Sequence, residues 1–296
     1  MNTGDLATEE QTLSYRLLGG AAAALLALGV ACSSPAPAPS ATPTPPTATV
    51  PPPPTFIAQG QAGTSPARTA TPSPALTAYN RGVERAGRGE YQAAIADFTE
   101  ALGADPTLAA AYYQRGAAHA QLGELDAAVA DFTKALEYQP ALASAYYYRG
   151  AVRTQQGDLQ GALADLNQAL DLDPTLALAK YQRGVVRTLL GDMAGANADL
   201  TEALPNIPET AIAYYYRGTA RSALGDYQGV VEDFTQVLRL EPDSPNAYYN
   251  RAVAYAALGD RERAVADLEQ ALAQYTAQGD TENAQRAEQA LQVLRS

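Results

Sequence analysis

Apolar and polar residues follow a helical spacing along residues 75–278, and the whole pattern repeats every 34 residues. Leucines recur at this interval: Leu102, Leu136, Leu170, Leu204, Leu238 and Leu272. Glycines keep the same step: Gly89, Gly123, Gly157, Gly191, Gly225 and Gly259. The period predicts six copies without insertion or deletion, at 75–108, 109–142, 143–176, 177–210, 211–244 and 245–278. A place in a copy is counted below from the first residue of that copy.

Each copy is predicted to form two helices joined by a tight turn. In the second copy, Gly123 separates the two helical stretches, because glycine accepts the left-handed conformation that ends a helix. Glu124 follows, and a carboxylate at this place is expected to cap the free amides of the second helix. The other copies also carry an acid there: Glu90, Asp158, Asp192, Asp226 and Asp260. Pro140 ends the second helix, so each copy is a helical hairpin.

The last copies depart from the pattern in ways that predict local differences. Pro205 is expected to shorten the second helix of the fourth copy by about a turn. The sixth copy has Thr276 in place of the terminal proline. After it, residues 279–296 are predicted to form a capping helix over the exposed core of the last copy. Its apolar residues fall on one helical face: Ala284, Ala287, Leu291 and Leu294.

The repeat resembles the tetratricopeptide repeat (TPR). The family's landmarks are a small residue in the first helix, then in the second a small residue, a large apolar one, an alanine and finally a proline. In the second copy they fall on Gly116, Ala128, Phe132, Ala135 and Pro140. The resemblance covers residues 75–278. It implies an all-α fold: an α-solenoid of six 34-residue TPR hairpins in a right-handed superhelix, followed by the capping helix. It also implies a concave groove lined by the first helices, where members of the family bind peptides or proteins.

The resemblance places the fifth and sixth residues of each copy in this partner-binding groove. The fifth place is always tyrosine: Tyr79, Tyr113, Tyr147, Tyr181, Tyr215 and Tyr249. The sixth place is an amide or tyrosine: Asn80, Gln114, Tyr148, Gln182, Tyr216 and Asn250. The preceding tyrosines lie about 100° around the helix and are expected to face the packing instead: Tyr112, Tyr146, Tyr214 and Tyr248. The alternative is that the fifth-place tyrosines are structural, with each ring packing on its neighbour's helix.

Every copy also has an arginine at the seventh place and an aspartate sixteen residues later. The two columns should face each other across a hairpin, which predicts structural ion pairs. Examples are Arg115 with Asp131, Arg149 with Asp165, and Arg217 with Asp233. A row of anion-binding arginines is the functional alternative. Because tyrosine occupies the fifth place, where chaperone-binding relatives carry a lysine, no carboxylate clamp is expected.

The first 74 residues differ from the repeats. Residues 17–31 form an uncharged apolar run that fits an export signal, and Cys32 follows it directly. Residues 1–32 therefore resemble a bacterial lipoprotein signal with Cys32 as the lipid attachment site. An ordinary secretion signal or a signal anchor is the alternative. Residues 33–74 hold 13 prolines and a single charge, which predicts an unfolded tether with a reach of up to roughly 130 Å.

The composition argues against several classes of function. One histidine, His119, and one cysteine cannot supply a His- or Cys-rich metal site, so neither metal nor cofactor is expected. A net charge of −12 argues against nucleic-acid binding. The residues contain no phosphate loop and no nucleophile–base motif. The chain is therefore not expected to be an enzyme.

The combined expectation is a non-catalytic adaptor, exported and held by a lipidated N-terminus on the extracytoplasmic face of a bacterial membrane. Its partner would be a peptide or protein bound in the tyrosine-lined groove. The chain resembles repeat-containing lipoproteins that assist assembly in bacterial envelopes. Two other functions stay open: a glycan or cell-wall receptor that uses the same tyrosines, and a spacer that binds no ligand.

Overall fold

The computed structural model describes residues 73–296, where it shows thirteen α-helices, one short 3₁₀ turn and no β-strand. The first helices of successive hairpins are α1 (Pro74–Gly87), α3 (Ala109–Gln121), α5 (Ala143–Gln155), α7 (Ala177–Leu190), α9 (Ala211–Ala223) and α11 (Pro245–Ala257). The second helices are α2 (Tyr91–Ala104), α4 (Leu125–Tyr138), α6 (Leu159–Leu172), α8 (Met193–Ala203), α10 (Tyr227–Leu240) and α12 (Arg261–Gln278). Helix α13 (Thr281–Arg295) comes last.

The described residues form two compact units, 73–186 and 187–296, that divide within α7. None of these helices is both long enough and apolar enough to cross a bilayer.

The turns inside the hairpins use glycine in the left-handed region, with φ between +76° and +86°. The acid that follows is a side-chain cap only where it is aspartate. Asp158, for example, accepts a hydrogen bond from the Gly161 amide at 3.0 Å. For Glu90 and Glu124 the capping expectation is wrong, because neither side chain caps its helix. The extra methylene of glutamate carries the carboxylate away from the helix end, towards Arg88 and His119 respectively.

A small residue on the first helix and a large one on the second define the core of each hairpin. In the second hairpin, a Cβ added to Gly116 would lie 3.2 Å from the Ala128 carbonyl oxygen and 3.3 Å from the Phe132 ring. The large residues at this place are almost completely buried: Phe98, Phe132, Leu166, Leu200, Phe234 and Leu268. The close approach of the two helices therefore depends on the absence of a side chain at Gly116.

The presence or absence of a proline determines where a second helix ends. Helix α8 ends at Ala203 and a 3₁₀ turn at Leu204–Asn206 follows, which confirms the shortening expected from Pro205. Helix α12, which has no terminal proline, continues to Gln278 and ends at Gly279 with φ of +74°. Helix α13 then packs its apolar face on the last hairpin, with Ala287, Leu291 and Leu294 buried.

The first helix of the array differs from its successors on the face that would meet a preceding hairpin. At the third place α1 has an exposed threonine, Thr77, whereas the later first helices have fully buried alanines. At the tenth place α1 has the exposed Glu84, whereas the later helices have a buried alanine or valine. Hairpin stacking therefore requires small apolar residues that α1 lacks.

Candidate functional site

The fifth-place tyrosines are packing residues. All except Tyr215 are buried, with 5–9% of each residue exposed. The rings lie against the large core residue of the same hairpin, with centroid distances of 5.9 Å for Tyr79–Phe98, 5.8 Å for Tyr113–Phe132 and 5.4 Å for Tyr215–Phe234. The rings assigned to an open groove are therefore mostly buried against the core instead. Tyr181 and Tyr249 are buried in the same way.

The fourth-place tyrosines, expected to be internal, are half-buried at the flank of the hairpins. Each lies under the guanidinium of the arginine three residues later, at 5.5–5.7 Å from the ring centroid. The pairs are Tyr112–Arg115, Tyr146–Arg149, Tyr214–Arg217 and Tyr248–Arg251. Residues three apart share a helix face, so this arrangement follows from the helix itself.

Sixth-place side chains join one hairpin to the preceding one. The Tyr79 hydroxyl is hydrogen-bonded to Gln114, and the Tyr113 hydroxyl to Tyr148. Burial raises the pKa of Tyr113 to about 12, although hydrogen bonds from its neighbours oppose that shift. Burial raises the pKa of Tyr148 as well. These contacts stabilise the stacking of the first three hairpins.

Sixth-place residues differ in exposure along the chain. Gln114, Tyr148 and Gln182 are buried. Asn80, on the outer face of α1, is exposed, and Tyr216 and Asn250 are half-buried. The amide nitrogen of Gln182 is buried and has no hydrogen-bond partner in the described part of the chain.

The seventh-place arginines bind the aspartates of the second helices. Arg149 donates from Nε and Nη2 to the two carboxylate oxygens of Asp165, at 2.9 and 2.6 Å. Arg115 binds Asp131 in the same two-point manner, at 2.8 and 2.7 Å. Arg217 binds Asp233 with a closest contact of 2.6 Å. The carboxylates are buried, so these are internal ion pairs.

Sequence reasoning missed a second cation on the same carboxylates. Eleventh-place arginines also reach the buried aspartate, at 2.8 Å for Arg153 Nη1 to Asp165 and 3.1 Å for Arg221 Nη1 to Asp233. Arg85 and Arg187 do the same for their hairpins. The recurrence of arginine at this place was the available signal. These guanidiniums are occupied by internal carboxylates, which counts against a row of arginines that binds external anions.

The second hairpin has His119 at this eleventh place. Its Nδ1 lies 2.5 Å from Glu124, and its Nε2 lies 3.8 Å from Asp131, beyond hydrogen-bond distance. Asp131 therefore has one guanidinium partner, whereas Asp97, Asp165 and Asp233 each have two. His119 occupies a structural place, and no group of three or more potential metal ligands occurs between residues 73 and 296.

At the second, sixth, ninth and twelfth places of the first helices the accessible residues are uncharged, and most are small or carry an amide or a hydroxyl. In each unit we call these residues its first-helix strip. Half-buried members are Ala110, Ala120, Ser144 and Thr154 in residues 73–186, and Ile212, Tyr216, Thr219, Asn246, Asn250 and Val253 in residues 187–296. Burial raises the pKa of the Tyr216 phenol, so this residue offers a neutral hydroxyl. The strip can contact a polypeptide through apolar area and neutral hydrogen bonds.

Family models identify the repeat. A tetratricopeptide repeat model matches residues 109–142, and another matches residues 245–274. A TPR repeat model matches residues 85–123, 150–191 and 218–259. Together these matches cover more than half of the chain, which therefore belongs to the tetratricopeptide repeat family. The fold is an α-solenoid of the kind that typically mediates protein interactions.

Solved structures share this fold. YrrB, described as a TPR protein with an unusual peptide-binding site, is 26% identical, with a TM-score of 0.59 over 65% of this chain and 97% of its own. MamA from Desulfovibrio magneticus RS-1 is 25% identical, with a TM-score of 0.53 over 59% and 99%. PilF of Pseudomonas aeruginosa is 17% identical, with a TM-score of 0.58 over 68% and 92%, which shows the fold alone. No curated protein sequence matches the chain.

Proposed function

We propose that this chain is a non-catalytic scaffold that binds a peptide or protein partner on the first-helix strip. Residues 1–32 export the chain, lipid on Cys32 holds it at the extracytoplasmic face of a bacterial membrane, and residues 33–74 set its distance from that membrane. Cys32 and nearly all of these segments lie outside the described residues.

One observation carries the binding proposal: first-helix arginines are engaged with buried aspartates of their own hairpins, whereas the accessible first-helix strip is uncharged. Arg149 and Arg153 both bind Asp165, and Arg217 and Arg221 both bind Asp233. Side chains held in this way are costly to redirect, because breaking one partner of a buried pair leaves an uncompensated charge. A partner therefore meets tyrosine, asparagine, threonine and small apolar side chains, which suit an uncharged stretch of polypeptide.

The similarity to YrrB also supports a scaffold that binds a polypeptide. That protein is described as having a peptide-binding site, and its similarity extends over most of its own length. From this similarity we carry over to this chain only the role of a scaffold that binds a peptide or protein. The partner of this chain is defined by the chemistry of the first-helix strip, which is neutral and carries amide and hydroxyl groups.

Site-specific photo-crosslinking in cells tests the binding surface. A photoreactive residue at position 216 or 253, on the first helices, is expected to capture a discrete partner. Matched positions 198 and 266 are exposed on second helices and serve as controls. Equal crosslinking from both pairs, or none from either, would reject the first-helix strip as the binding surface and would favour a ligand-free spacer.

Metabolic labelling tests the anchor. Labelled fatty acid is expected to enter the full chain and not the Cys32→Ser variant. Incorporation into both proteins, or into neither, would remove the lipoprotein proposal while leaving the scaffold proposal intact. The glycan receptor is the weaker alternative, since sugar stacking needs open ring faces and five of the six fifth-place tyrosines are buried.

A further inference from the structure

The last hairpin fixes the side chain of Asn246 through its second helix. Asn246 is half-buried, at the second place of α11, and belongs to the first-helix strip of residues 187–296. The hydroxyl of Tyr275, on α12, donates to Asn246 Oδ1 at 2.6 Å. Only 4% of Tyr275 is exposed, so its ring is held by the core. A buried hydroxyl therefore determines which end of the Asn246 amide is available.

This contact follows from the missing terminal proline of the sixth copy. In four earlier copies the residue before that proline is the C-cap of the second helix: Asp105, Gln139, Asp173 and Glu241. Because the sixth copy has Thr276 there, α12 continues and includes Tyr275 in its last turns. Asn246 is also the only amide at the second place of the six copies. The sixth hairpin therefore has both partners of a hydrogen bond that the other copies cannot form.

A second asparagine lies beside Asn246 on the same face of α11. Asn250 is four residues later, and its Nδ2 donates to the main-chain oxygen of Asn246 at 2.8 Å. With these bonds made, Asn246 Nδ2 and Asn250 Oδ1 have no hydrogen-bond partner among residues 73–296, and neither atom is enclosed by protein. We call these two residues the asparagine pair. It offers a donor and an acceptor to an incoming molecule.

The main chain of an extended polypeptide matches the asparagine pair. In an extended chain the N–H and the C=O of one residue point to the same side, so one surface can bind both. The pair supplies the complementary acceptor and donor, and Val253 adds apolar contact on the same helix face. Arg251, the only charged residue of α11, is bound to Asp267 at 2.7 Å. The site therefore suits the backbone of an uncharged stretch.

We propose that the asparagine pair binds the main chain of an extended partner and that Tyr275 is the positioning residue of this site. Tyr275 acts through Asn246: it occupies Oδ1, so that Nδ2 donates to a carbonyl of the partner, while Asn250 Oδ1 accepts from an N–H of the partner. The inference rests on the proposed function, because the pair is part of the first-helix strip. It adds that affinity at this point depends on backbone groups of the partner.

Peptide selection on the full chain provides the probe. Random twelve-residue peptides displayed on phage are selected against the full chain, and the tightest binder is synthesised and titrated by fluorescence polarisation. Asn246→Asp keeps an acceptor for Tyr275 but removes the donor, and is expected to weaken binding roughly tenfold. Asn206→Asp is the matched control, because it adds the same charge at an exposed position of the 3₁₀ turn, and it should leave the affinity unchanged.

Tyr275→Phe tests the positioning role, because it removes the hydroxyl and keeps the buried ring. Loss of one neutral hydrogen bond predicts binding that is roughly three- to tenfold weaker. Tyr79→Phe is the matched control, since it removes a hydroxyl that is bonded to Gln114 in the first two hairpins. That control should lower the melting temperature to a similar extent without a change in affinity. An equal loss of affinity in both variants would refute the positioning role.

Amide-to-ester replacement in the selected peptide tests backbone recognition. An ester has no N–H, so replacement at one position should weaken binding to the parent chain roughly three- to tenfold. The same replacement should cost nothing further with Asn250→Ala, which has already lost the acceptor.

Three results would overturn the proposal: no peptide is selected, no ester position matters, or Asn246→Asp and Tyr275→Phe bind as the parent does. Crosslinking at 216 and 253 tests the strip itself. Capture there together with unchanged affinity in Asn246→Asp and Tyr275→Phe would refute the asparagine pair alone, whereas the absence of capture would also reject the proposed function.

Discussion

Arg149 donates a hydrogen bond from Nη1 to the hydroxyl of Thr133 at 3.0 Å, across the junction between two successive hairpins. The same guanidinium holds Asp165 within its own hairpin through Nε and Nη2. Equivalent bridges recur from Arg115 to Thr99 and from Arg251 to Thr235, both at 3.1 Å. One side chain therefore closes a hairpin and also aligns it with the preceding one.

Replacing this arginine should destabilise the protein strongly. In Arg149→Ala, Asp165 stays buried with only Arg153 to compensate it, and the hairpin junction loses its bridge. Removing one partner of a buried pair costs about 3–5 kcal/mol. Arg81→Ala is the matched comparison, because 41% of that side chain is exposed and no hairpin precedes it in the described residues. Thermal and urea unfolding check the difference, and an unchanged melting temperature for Arg149→Ala would refute the structural assignment.

The second hairpin should gain stability from an arginine at place eleven. His119 Nε2 lies 3.8 Å from Asp131, whereas Arg153 and Arg187 reach their aspartates at 2.8 Å. His119→Arg supplies the missing charged hydrogen bond, for an expected gain of about 1 kcal/mol. Arg153→His is the reciprocal change and should lower the stability of the third hairpin. Urea unfolding at one fixed pH compares the two, and shifts of the same sign would contradict the explanation.

The glycine on the first helix of a hairpin should not accept a methyl group unless its partner changes too. A Cβ at Gly82 would lie 2.6 Å from the Phe98 ring. Overpacking costs about 1–3 kcal/mol, more than the roughly 1 kcal/mol that alanine gains in helix propensity. Gly82→Ala should therefore lower the melting temperature. Adding Phe98→Leu should recover much of the loss, because the sixth hairpin already pairs a buried Ala252 with Leu268. A double variant no better than the single one would refute the steric argument.

Alkaline titration should reveal the buried tyrosines. Burial raises the pKa values of Tyr113 and Tyr147 to about 12 in the folded chain. An unfolded tyrosine ionises near pH 10, so these groups stabilise the fold below that pH and lose the contribution as the pH rises towards 12. Absorbance at the phenolate band should therefore show a fraction of the tyrosines that ionises late, together with unfolding. Tyr147→Phe should reduce this late fraction; a single transition near pH 10 in the folded chain would contradict the prediction.

The repeat pattern predicted the positions of the helices correctly, but it did not predict which tyrosine side chains are buried. Period, turn glycines and prolines act locally, which is why the short α8 and the long α12 followed from Pro205 and Thr276. Tyr112 and Tyr113 differ by only 100° around α3, so the small rotation of one helix against its partner decides which is buried. The second cation on Asp165, Arg153, arises from side-chain reach across the hairpin, which residue spacing alone does not give.

The polar outer face of α1 restricts how such an array can grow in evolution. A hairpin added in front of α1 would have to bury Glu84 and Thr77 where every later junction has alanine or valine. Helix α13 closes the opposite end with its own apolar face. Duplication of an internal hairpin, which carries compatible contacts on both sides, would therefore extend the array at a lower cost than a unit added before α1.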